Sequence, residues 1–377
     1  MEPTTRLLRE LVAIDSVNPS LVPGGAGEAA ISEHLAVRLR HAGFDVERTE
    51  LAPGRFNVVA MADGRAHGPI RLLCGHADTV GVDGMEAPFV PIEREGRLYG
   101  RGAQDMKGGL AAMVVAAEEW LAGSRAGAGR IIVGAVADEE FASLGAESLA
   151  RTIPADAAVV PEPTDLVIGI AHKGFSAAEV TMRGHAAHGS RPAEGRDAIL
   201  RMGRILARLE RLDRHLQAAP PHPLLGTASL HASTISGGAA LSVYPAQCTL
   251  QMERRTLPGE PLNAAVVELQ GIVDALVAED PDLAADVRAL VARPAYTLGR
   301  ESALVNELAS AIRSGGAEPE VGGLSYWTDA AILAGAGIPA VVFGPGGAGL
   351  HGVEEHVSIR QTDVCRAVLR AWLEAGG

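Results

Sequence analysis

The sequence is poor in aromatic residues, cysteine and lysine, and each scarcity excludes a class of function. Phe, Trp and Tyr make up 3% of the 377 residues, which argues against a surface that stacks the bases of single-stranded nucleic acid. The three cysteines are odd in number and far apart, so neither a disulfide framework nor a Cys-x-x-Cys metal site is available. Lysine occurs only at Lys107 and Lys173.

The sequence also lacks a basic run and a long apolar run. Acidic residues outnumber Lys and Arg by 46 to 33, a formal net charge of −13, and such a chain repels phosphate backbones and anionic membrane surfaces. The longest apolar stretch, residues 110–117, is far too short to cross a bilayer, and the polar N-terminal residues do not resemble a signal peptide. We therefore expect a soluble cytoplasmic protein whose partners include neither nucleic acid nor a membrane.

Hydrophobic residues make up 47% of the chain, and before residue 174 and after residue 290 they form short apolar runs that alternate with helical patterns. Buried strands separated by helices indicate a mostly parallel sheet with helices on both faces, an α/β fold. Strands are predicted at residues 57–61, 70–74, 131–136, 157–160 and 340–343, and helices at 28–41, 106–121, 302–314 and 361–375.

The middle of the chain has a different order of elements, strand-helix-strand-strand-helix-strand. This is the order of the ferredoxin-like α+β fold. We predict an inserted domain over residues 174–290, which divides the first domain into residues 1–173 and 291–377. The predicted strands are 175–182, 228–235, 248–253 and 285–292, and the predicted helices are 197–216 and 264–278.

Ligand-type residues follow several of the predicted strands, where open α/β sheets place their sites. His76 and Asp78 follow shortly after the strand 70–74. Their spacing of two directs both side chains to one side of an extended backbone. The histidine can bind a metal while the aspartate orients its ring, although a surface turn explains the pair equally well. Asp105 lies among the glycines of GRGAQDMKGG, where an ordinary helix N-cap is the alternative and phosphate-loop spacing is absent.

Three further motifs carry acids and a histidine. ADEE, with Glu139 and Glu140, follows the apolar strand 131–136; three acids there repel one another unless cations gather them, although a solvated turn is the alternative. Glu162 lies between two prolines in PEPT, and His351 lies in HGVEEHV after a glycine-rich loop. A simple turn and an incidental loop histidine are the respective alternatives.

Together these motifs supply two imidazoles and three carboxylates, a set suited to two borderline divalent ions such as zinc. The long gap between Glu162 and His351 is what an inserted domain leaves. The five proposed ligands are His76, Asp105, Glu140, Glu162 and His351.

At this point the sequence resembles a known family, the co-catalytic zinc amidohydrolases and peptidases that include acetylornithine deacetylase, succinyl-diaminopimelate desuccinylase, aminoacylase and carboxypeptidase G. The motifs GHADTV, GRGAQDMKGG, ADEE, PEPT and HGVEEHV occur in the family's order and cover nearly the whole chain. The resemblance implies a zinc-peptidase-like catalytic domain, an inserted lid and dimerisation domain, a homodimer, and two divalent ions, zinc or else cobalt or manganese.

The resemblance also implies roles for individual residues of the metal site. Asp105 bridges both ions; His76 and Glu162 complete one site, and Glu140 and His351 complete the other. Asp78 orients His76. Glu139 is the general base that takes a proton from water held between the ions and passes it to the leaving amine.

In the inserted domain the resemblance falls on three residues. His188, in GHAAHGSRP, matches the histidine that stabilises the oxyanion in the partner subunit's site, with a surface histidine as the alternative. Arg255 matches the arginine that holds the substrate α-carboxylate, and Arg254 beside it should point the other way along the strand. Ser242 stands where many relatives have a substrate-contacting Asn.

These observations favour a metal-dependent amide hydrolase that acts on a small N-acyl amino acid. A dipeptidase or carboxypeptidase of the same family is the alternative, with a dipeptide as substrate. A non-catalytic binding protein of the same fold would have lost a ligand or the base, and a nucleotide-binding oxidoreductase would carry a glycine fingerprint that is absent here.

Overall fold

A computed structural model describes residues 2–123 and 128–375 of the chain. The chain divides into two compact units, called unit 1 and unit 2 below. Unit 1 consists of Met1–Ile170, Leu298–Gly322 and Thr328–Gly377, and unit 2 consists of Ala171–Thr297 and Gly323–Trp327. Unit 2 therefore takes in the short segment Gly323–Trp327, which the sequence interpretation had placed in the first domain.

The helices and strands of both units alternate along the chain. The α-helices in the described residues are α1 (Pro3–Val12), α2 (Ala29–Ala42), α3 (Gly108–Ala122), α4 (Leu144–Thr152), α5 (Ala198–Ala218), α6 (Ala264–Glu279), α7 (Ala303–Ser314), α8 (Ala330–Gly335) and α9 (Ile359–Glu374). The strands are β1 (Asp45–Ala52), β2 (Arg55–Asp63), β3 (Ala66–His76), β4 (Ile92–Arg94), β5 (Arg97–Tyr99), β6 (Ala128–Val136), β7 (Ala157–Val160), β8 (Ile168–His172), β9 (Gly174–Arg183), β10 (Ser229–Gly237), β11 (Gln247–Thr256), β12 (Ala284–Arg293), β13 (Tyr296–Thr297), β14 (Val321–Leu324), β15 (Ala340–Val342), β16 (Gly347–Ala348) and β17 (His356–Ser358).

The large sheet of unit 1 is parallel at its centre and antiparallel toward its edges. Its order is β1-β2-β6-β3-β7-β15-β8, in which β6, β3, β7 and β15 are parallel neighbours and β1, β2 and β8 pair antiparallel. Leu72, Leu73 and Cys74 of β3 are fully buried, as expected of a strand covered on both faces. The α/β prediction is confirmed.

Strand β1 is absent from the sequence interpretation because its residues carry no apolar alternation. Half of its sequence, DVERTELA, is charged, and its side chains reach solvent wholly or in part. A strand at the edge of a sheet needs only its backbone to pair, and charged side chains protect such an edge from unwanted pairing.

A second, small sheet of unit 1 brings two distant loops side by side. Its order is β16-β17-β5-β4, and β17 pairs antiparallel with β5, with His356 opposite Tyr99. The segment that joins β16 to β17 contains His351, and the segment that follows β5 contains Asp105. The pairing of β5 with β17 therefore places the two segments next to each other.

Unit 2 has the predicted β-α-β-β-α-β order, formed by β9, α5, β10, β11, α6 and β12. Its sheet is antiparallel with the order β10-β11-β9-β12, the ferredoxin-like arrangement. Its core is apolar: Val180, Met202, Leu250 and Leu269 are among the buried residues that strands and helices contribute.

Within the described residues, no helix combines the length and the apolar character needed to cross a membrane. The location of the protein in the cell stays a prediction.

Candidate metal centre

The parallel strands of unit 1 bring three of the motifs to one edge of the sheet. β3 lies between β6 and β7 and runs parallel to both, so the residues after these three strands emerge at the same edge. His76 ends β3, Glu139 and Glu140 follow β6, and Glu162 follows β7. Topology alone therefore gathers one imidazole and three carboxylates.

His76 is buried, with 1% of its surface exposed, and faces carboxylates through one ring nitrogen. Its Nε2 lies 3.0 Å from Asp105 Oδ1 and 3.6 Å from Glu162 Oε1. Its other nitrogen, Nδ1, lies 3.0 Å from the backbone oxygen of Asp78. A partner on Nδ1 fixes the ring and directs Nε2 at the acids.

Asp105 lies between the two histidines and presents a different oxygen to each. Oδ1 faces His76, whereas Oδ2 lies 3.2 Å from Nε2 of His351. The same Nε2 lies 3.3 Å from Glu140 Oε2. Hydrogen bonds to Asp105 and Glu140 raise the pKa of His351 to about 10. The carboxylate of Asp105 thus belongs to two neighbouring groups of ligand-type atoms.

Two sets of three residues have ligand atoms that all lie within 4.8 Å of one another. One set is His76, Asp105 and Glu140; the other is His76, Glu139 and Glu162. The structure therefore brings together all six residues that the sequence interpretation assigned as ligands or base in unit 1: His76, Asp105, Glu139, Glu140, Glu162 and His351.

The charge of this cluster fits a pair of cations. Among the described residues, its four carboxylates form ion pairs only with histidines. Burial raises the pKa values of Glu139 and Glu162 well above their ordinary range, and neighbouring acids add to the effect. The Oε1 atom of Glu140 is buried and has no hydrogen-bond partner in the described part of the chain. Imidazole nitrogen and carboxylate oxygen are ligands that suit zinc and similar ions.

Asp78 organises the cluster mainly through backbone groups. Its carboxylate accepts hydrogen bonds from the backbone N–H groups of Glu139 and Glu140, at 3.1 and 3.3 Å, and from Asn18 Nδ2 at 2.8 Å. The distance from its Oδ1 to His76 Nδ1 is 3.6 Å. The predicted orienting of His76 thus involves the Asp78 backbone oxygen more closely than its carboxylate.

A buried charge network behind Asp78 was missed by the sequence interpretation. Arg55 binds Glu28 through two nitrogens, at 2.7 and 2.6 Å, and lies 2.8 Å from Asp138 Oδ1. Asn18 Nδ2 reaches the same Asp138 oxygen at 3.0 Å. Asp138 has φ of +71°, a strained conformation for a residue with a side chain. No local pattern links residues this far apart in sequence, so burial of these charges could not be read from the motifs.

Glu162 depends on a close approach between two backbones. A Cβ atom placed on Gly109, in the first turn of α3, would lie 1.8 Å from the backbone oxygen of Pro161. Only glycine permits this contact. Gly109, the second glycine of DMKGG, thus allows α3 to pack directly against the segment that carries Glu162.

The predicted substrate residues all lie in unit 2. His188 and Ser242 are exposed, and their loops are joined by a hydrogen bond of 2.7 Å from Gly189 N to the Ser242 backbone oxygen. Arg255 is half-buried beside the Phe175 ring and lies 2.6 Å from Glu253. Arg254 points the other way, as predicted: it is 1% exposed and pairs with Glu260 and Glu268. The sequence motifs did not indicate these two partners.

The chain is similar to known enzymes along nearly its whole length. It is 34% identical to acetylornithine deacetylase of Myxococcus xanthus, over 96% of this chain and 94% of that protein. It is 30% identical to succinyl-diaminopimelate desuccinylase of Leptothrix cholodnii, over 99% of this chain and 98% of that protein.

Solved structures share the fold at lower identity. A tripeptidase from Staphylococcus aureus has a TM-score of 0.82 at 22% identity, and the similarity covers 99% of this chain and 97% of that one. A dinuclear metal-binding peptidase of the M20 family from Bacillus subtilis has a TM-score of 0.75 at 15% identity, over 99% of this chain and 97% of that one.

Residues 72–375 match Peptidase family M20/M25/M40. This match includes all five motifs on which the family resemblance rested, and it confirms that resemblance. With relatives at 34% and 30% identity along nearly all of its length, the chain is a metal-dependent hydrolase and belongs to Peptidase family M20/M25/M40.

Proposed function

We propose that the protein cleaves the amide bond of an N-acyl amino acid. The observation that carries this proposal is the double ligand group around Asp105, with Glu139 beside it. The names of two relatives that match nearly the whole chain, a deacetylase and a desuccinylase, support the removal of an acyl group. The proposal specifies the bond that is cleaved and the substrate class, an N-acyl amino acid, and the substrate panel below identifies the acyl group and the amino acid.

We assign His76, Asp105 and Glu162 to one metal ion and Asp105, Glu140 and His351 to the other. The two oxygens of Asp105, which face opposite histidines, support the bridging role. When bound, a pair of divalent ions, zinc or else cobalt or manganese, polarises the scissile carbonyl and lowers the pKa of the attacking water. The protein contributes four enclosed ligands, His76, Asp105, Glu140 and Glu162, and the more exposed His351.

Glu139 is proposed as the general base. Its Oε2 lies 4.0 Å from His76 Nε2, within the cluster. Burial raises its pKa above the ordinary value of a glutamate, the direction that makes a carboxylate a better proton acceptor. It takes a proton from water and gives it to the departing amine, and Asp78 steadies it through the Glu139 backbone N–H.

Unit 2 is proposed to recognise the substrate. Arg255 offers a half-exposed guanidinium for the α-carboxylate, which suits a bidentate contact. His188 is exposed on a loop and can donate to an oxyanion in the partner subunit's site, and the Ser242 backbone is bonded to the same loop. We assign the predicted inserted domain, residues 174–290, as this lid and dimerisation domain, between the catalytic segments 1–173 and 291–377.

A homodimer through unit 2 is supported by its exposed edge strand. β10 lies at the edge of the unit 2 sheet and most of its residues are exposed. Its Ile235 is 54% exposed, and Leu200 on α5 is 74% exposed. An exposed edge with apolar side chains nearby suits pairing with a second copy. Light scattering of the purified protein tests this, and an active monomer would contradict it.

A substrate panel tests the proposed reaction. Metal-loaded protein is incubated with N-acetylornithine, N-succinyl-diaminopimelate, other N-acyl amino acids and dipeptides, and the release of free amine is measured. We expect turnover of at least one N-acyl amino acid, with kcat/KM at least tenfold above that for any dipeptide. Turnover of dipeptides alone would replace the deacylase with the dipeptidase or carboxypeptidase alternative.

A further inference from the structure

Glu355 has no role in the proposed reaction, yet its carboxylate is buried and fully used. The residue is 1% exposed and lies directly before β17. Oε2 accepts hydrogen bonds from Arg101 Nη1 at 2.6 Å and from Gly102 N at 3.0 Å. Oε1 accepts from Gln104 N at 2.9 Å and from Asp105 N at 3.1 Å.

These bonds fix the backbone that presents Asp105. The segment turns sharply, with Gly102 at φ of +76° and Asp105 in an extended conformation at φ of −121°. A segment of this shape cannot satisfy its N–H groups with regular helix or sheet bonds, and buried N–H groups without partners are costly. One carboxylate satisfies three of them at once.

Glu355 also belongs to the segment that carries His351. Both residues lie between β16 and β17, and β17 is paired with β5 immediately before the Asp105 segment. Asp105 Oδ2 in turn lies 3.2 Å from His351 Nε2. The two segments are therefore connected twice, through Glu355 at the backbone and through the ligand side chains at the metal centre.

We propose that Glu355 is a positioning residue that holds Asp105 where its carboxylate can serve both proposed metal sites. The inference rests on the proposed ligand set. Partners that orient a metal ligand typically change metal affinity about 10- to 100-fold when they are removed. Because Asp105 belongs to both sites, loss of Glu355 should weaken the binding of both ions.

A purely structural role for Glu355 makes a different prediction. If its ion pair with Arg101 only stabilises the fold, a variant loses stability but binds metal normally while it is folded. Two substitutions separate the charge of the side chain from its reach. Glu355→Asp keeps the charge but is one methylene too short to contact all four donors, whereas Glu355→Gln keeps the length and loses the charge.

The neighbouring Glu354 provides matched controls. It is exposed and belongs to the same segment, so Glu354→Asp and Glu354→Gln make the same chemical changes without touching the Asp105 backbone. Each protein is loaded with Zn²⁺ and then titrated with a chromogenic chelator, which reports the number of ions released and their affinities. Circular dichroism and thermal unfolding of each protein are measured in parallel.

We expect both Glu354 variants to hold two ions, each with the same affinity as in the wild-type protein. We expect E355D to bind both ions at least tenfold more weakly, or to retain only one, while its circular dichroism matches wild type. E355Q should be weakened as well, because one of the two oxygens becomes an amide nitrogen, which cannot accept the two hydrogen bonds made at that position.

Wild-type affinity for both ions in folded E355D and E355Q would overturn the inference. If E355D does not fold, folded E355Q decides the question by the same criterion. Failure of wild type to bind two ions, or undiminished binding by Asp105→Ala, would instead contradict the proposed ligand set. The two failures are therefore distinguishable.

Discussion

The candidate site residues of unit 1 and of unit 2 differ in how far they are exposed to solvent. In unit 1, His76 and Glu162 are 1% and 4% exposed, and buried hydrogen bonds fix the neighbouring backbone. In unit 2, His188 and Ser242 are exposed on loops. Most of the candidate metal ligands are therefore enclosed, with His351 as the exposed member at 53%, whereas the candidate substrate residues on loops are accessible.

The interiors of the units differ in the same sense. Unit 2 has an apolar core and buries Arg254 beside two acids, whereas unit 1 buries four linked charged residues behind its site: Glu28, Arg55, Asp78 and Asp138. Buried charges often stabilise a fold less than apolar residues of the same size would. In unit 1, Glu28 and Asp78 accept hydrogen bonds from the backbone of the turn that carries Glu139 and Glu140, and Arg55 pairs with Glu28 and Asp138.

The largest expected effect separates chemistry from metal binding within unit 1. Glu139→Ala should lower kcat by about 10²- to 10⁴-fold, because the proton carrier is lost, while the protein keeps both metal ions. Metal analysis and steady-state kinetics of the same preparation check this. Unchanged turnover would remove Glu139 from the mechanism.

The second largest effect is expected from replacing Gly109, which is closely packed in unit 1, and it is compared with replacing Gly203, which is unobstructed in unit 2. Gly109→Ala would force α3 away from Pro161 and should lower the free energy of unfolding by about 3 kcal/mol, with a parallel loss of bound metal. Chemical denaturation and metal analysis measure both quantities.

Gly203 in α5 is the matched control, because a Cβ there would meet nothing within 4 Å. Gly203→Ala should leave the protein unchanged or stabilise it by about 0.5–1 kcal/mol. Equal destabilisation by both substitutions would show that the contact with Pro161 is not what makes Gly109 special.

A pH dependence is expected from His172 in unit 2. Burial lowers its pKa from 6.5 to about 4, so as the pH falls the unfolded chain takes up a proton before the folded protein does. The stability contributed by neutral His172 is present above pH 6.5, falls between pH 6.5 and 4, and the total loss is about 3 kcal/mol.

Denaturation of wild type and His172→Asn across this pH range measures that contribution. The difference in unfolding free energy between the two proteins should depend on pH with the stated sign. A difference that is constant with pH would mean that His172 keeps an ordinary pKa in the folded protein.

The smallest expected effect compares adjacent arginines of β11. Arg255→Ala should raise KM about 10-fold, because a charged hydrogen-bonded contact is lost, and should leave the free energy of unfolding within about 0.5 kcal/mol of wild type. Arg254→Ala should leave KM unchanged and lower the free energy of unfolding by about 2 kcal/mol, because its pairs with Glu260 and Glu268 are broken. Reversed outcomes would exchange the roles of the two residues.

The sequence predicted most of the fold because most elements carry their own signal. Strand β7 and the helix α6 are found within a residue of their predicted bounds, since apolar runs and helical periodicity mark them locally. β1 was missed because it is charged, and β8 because its five residues follow a turn without a clear boundary.

The site was predictable only in part for a physical reason. His76, Asp105 and Glu140 lie in short motifs whose histidine and acidic residues indicate metal binding directly. The residues that hold them, such as Arg55 and Glu355, act through partners far away in the sequence, which only the folded chain reveals. Glu355 even lies inside a recognised motif, but its sequence position did not distinguish it from Glu354.

The discontinuity of unit 1 has a consequence for biosynthesis. The ligand-type residues before unit 2 and His351 after it meet only when the last segment has folded back onto the first. During translation, a nascent chain that has emerged as far as Glu162 contains the acidic ligand-type residues Asp105, Glu140 and Glu162. It does not yet contain His351, which completes the second proposed metal site. By the proposed assignment, that nascent chain already carries all three ligands of one metal site, so only occupancy of the second site requires the last segment.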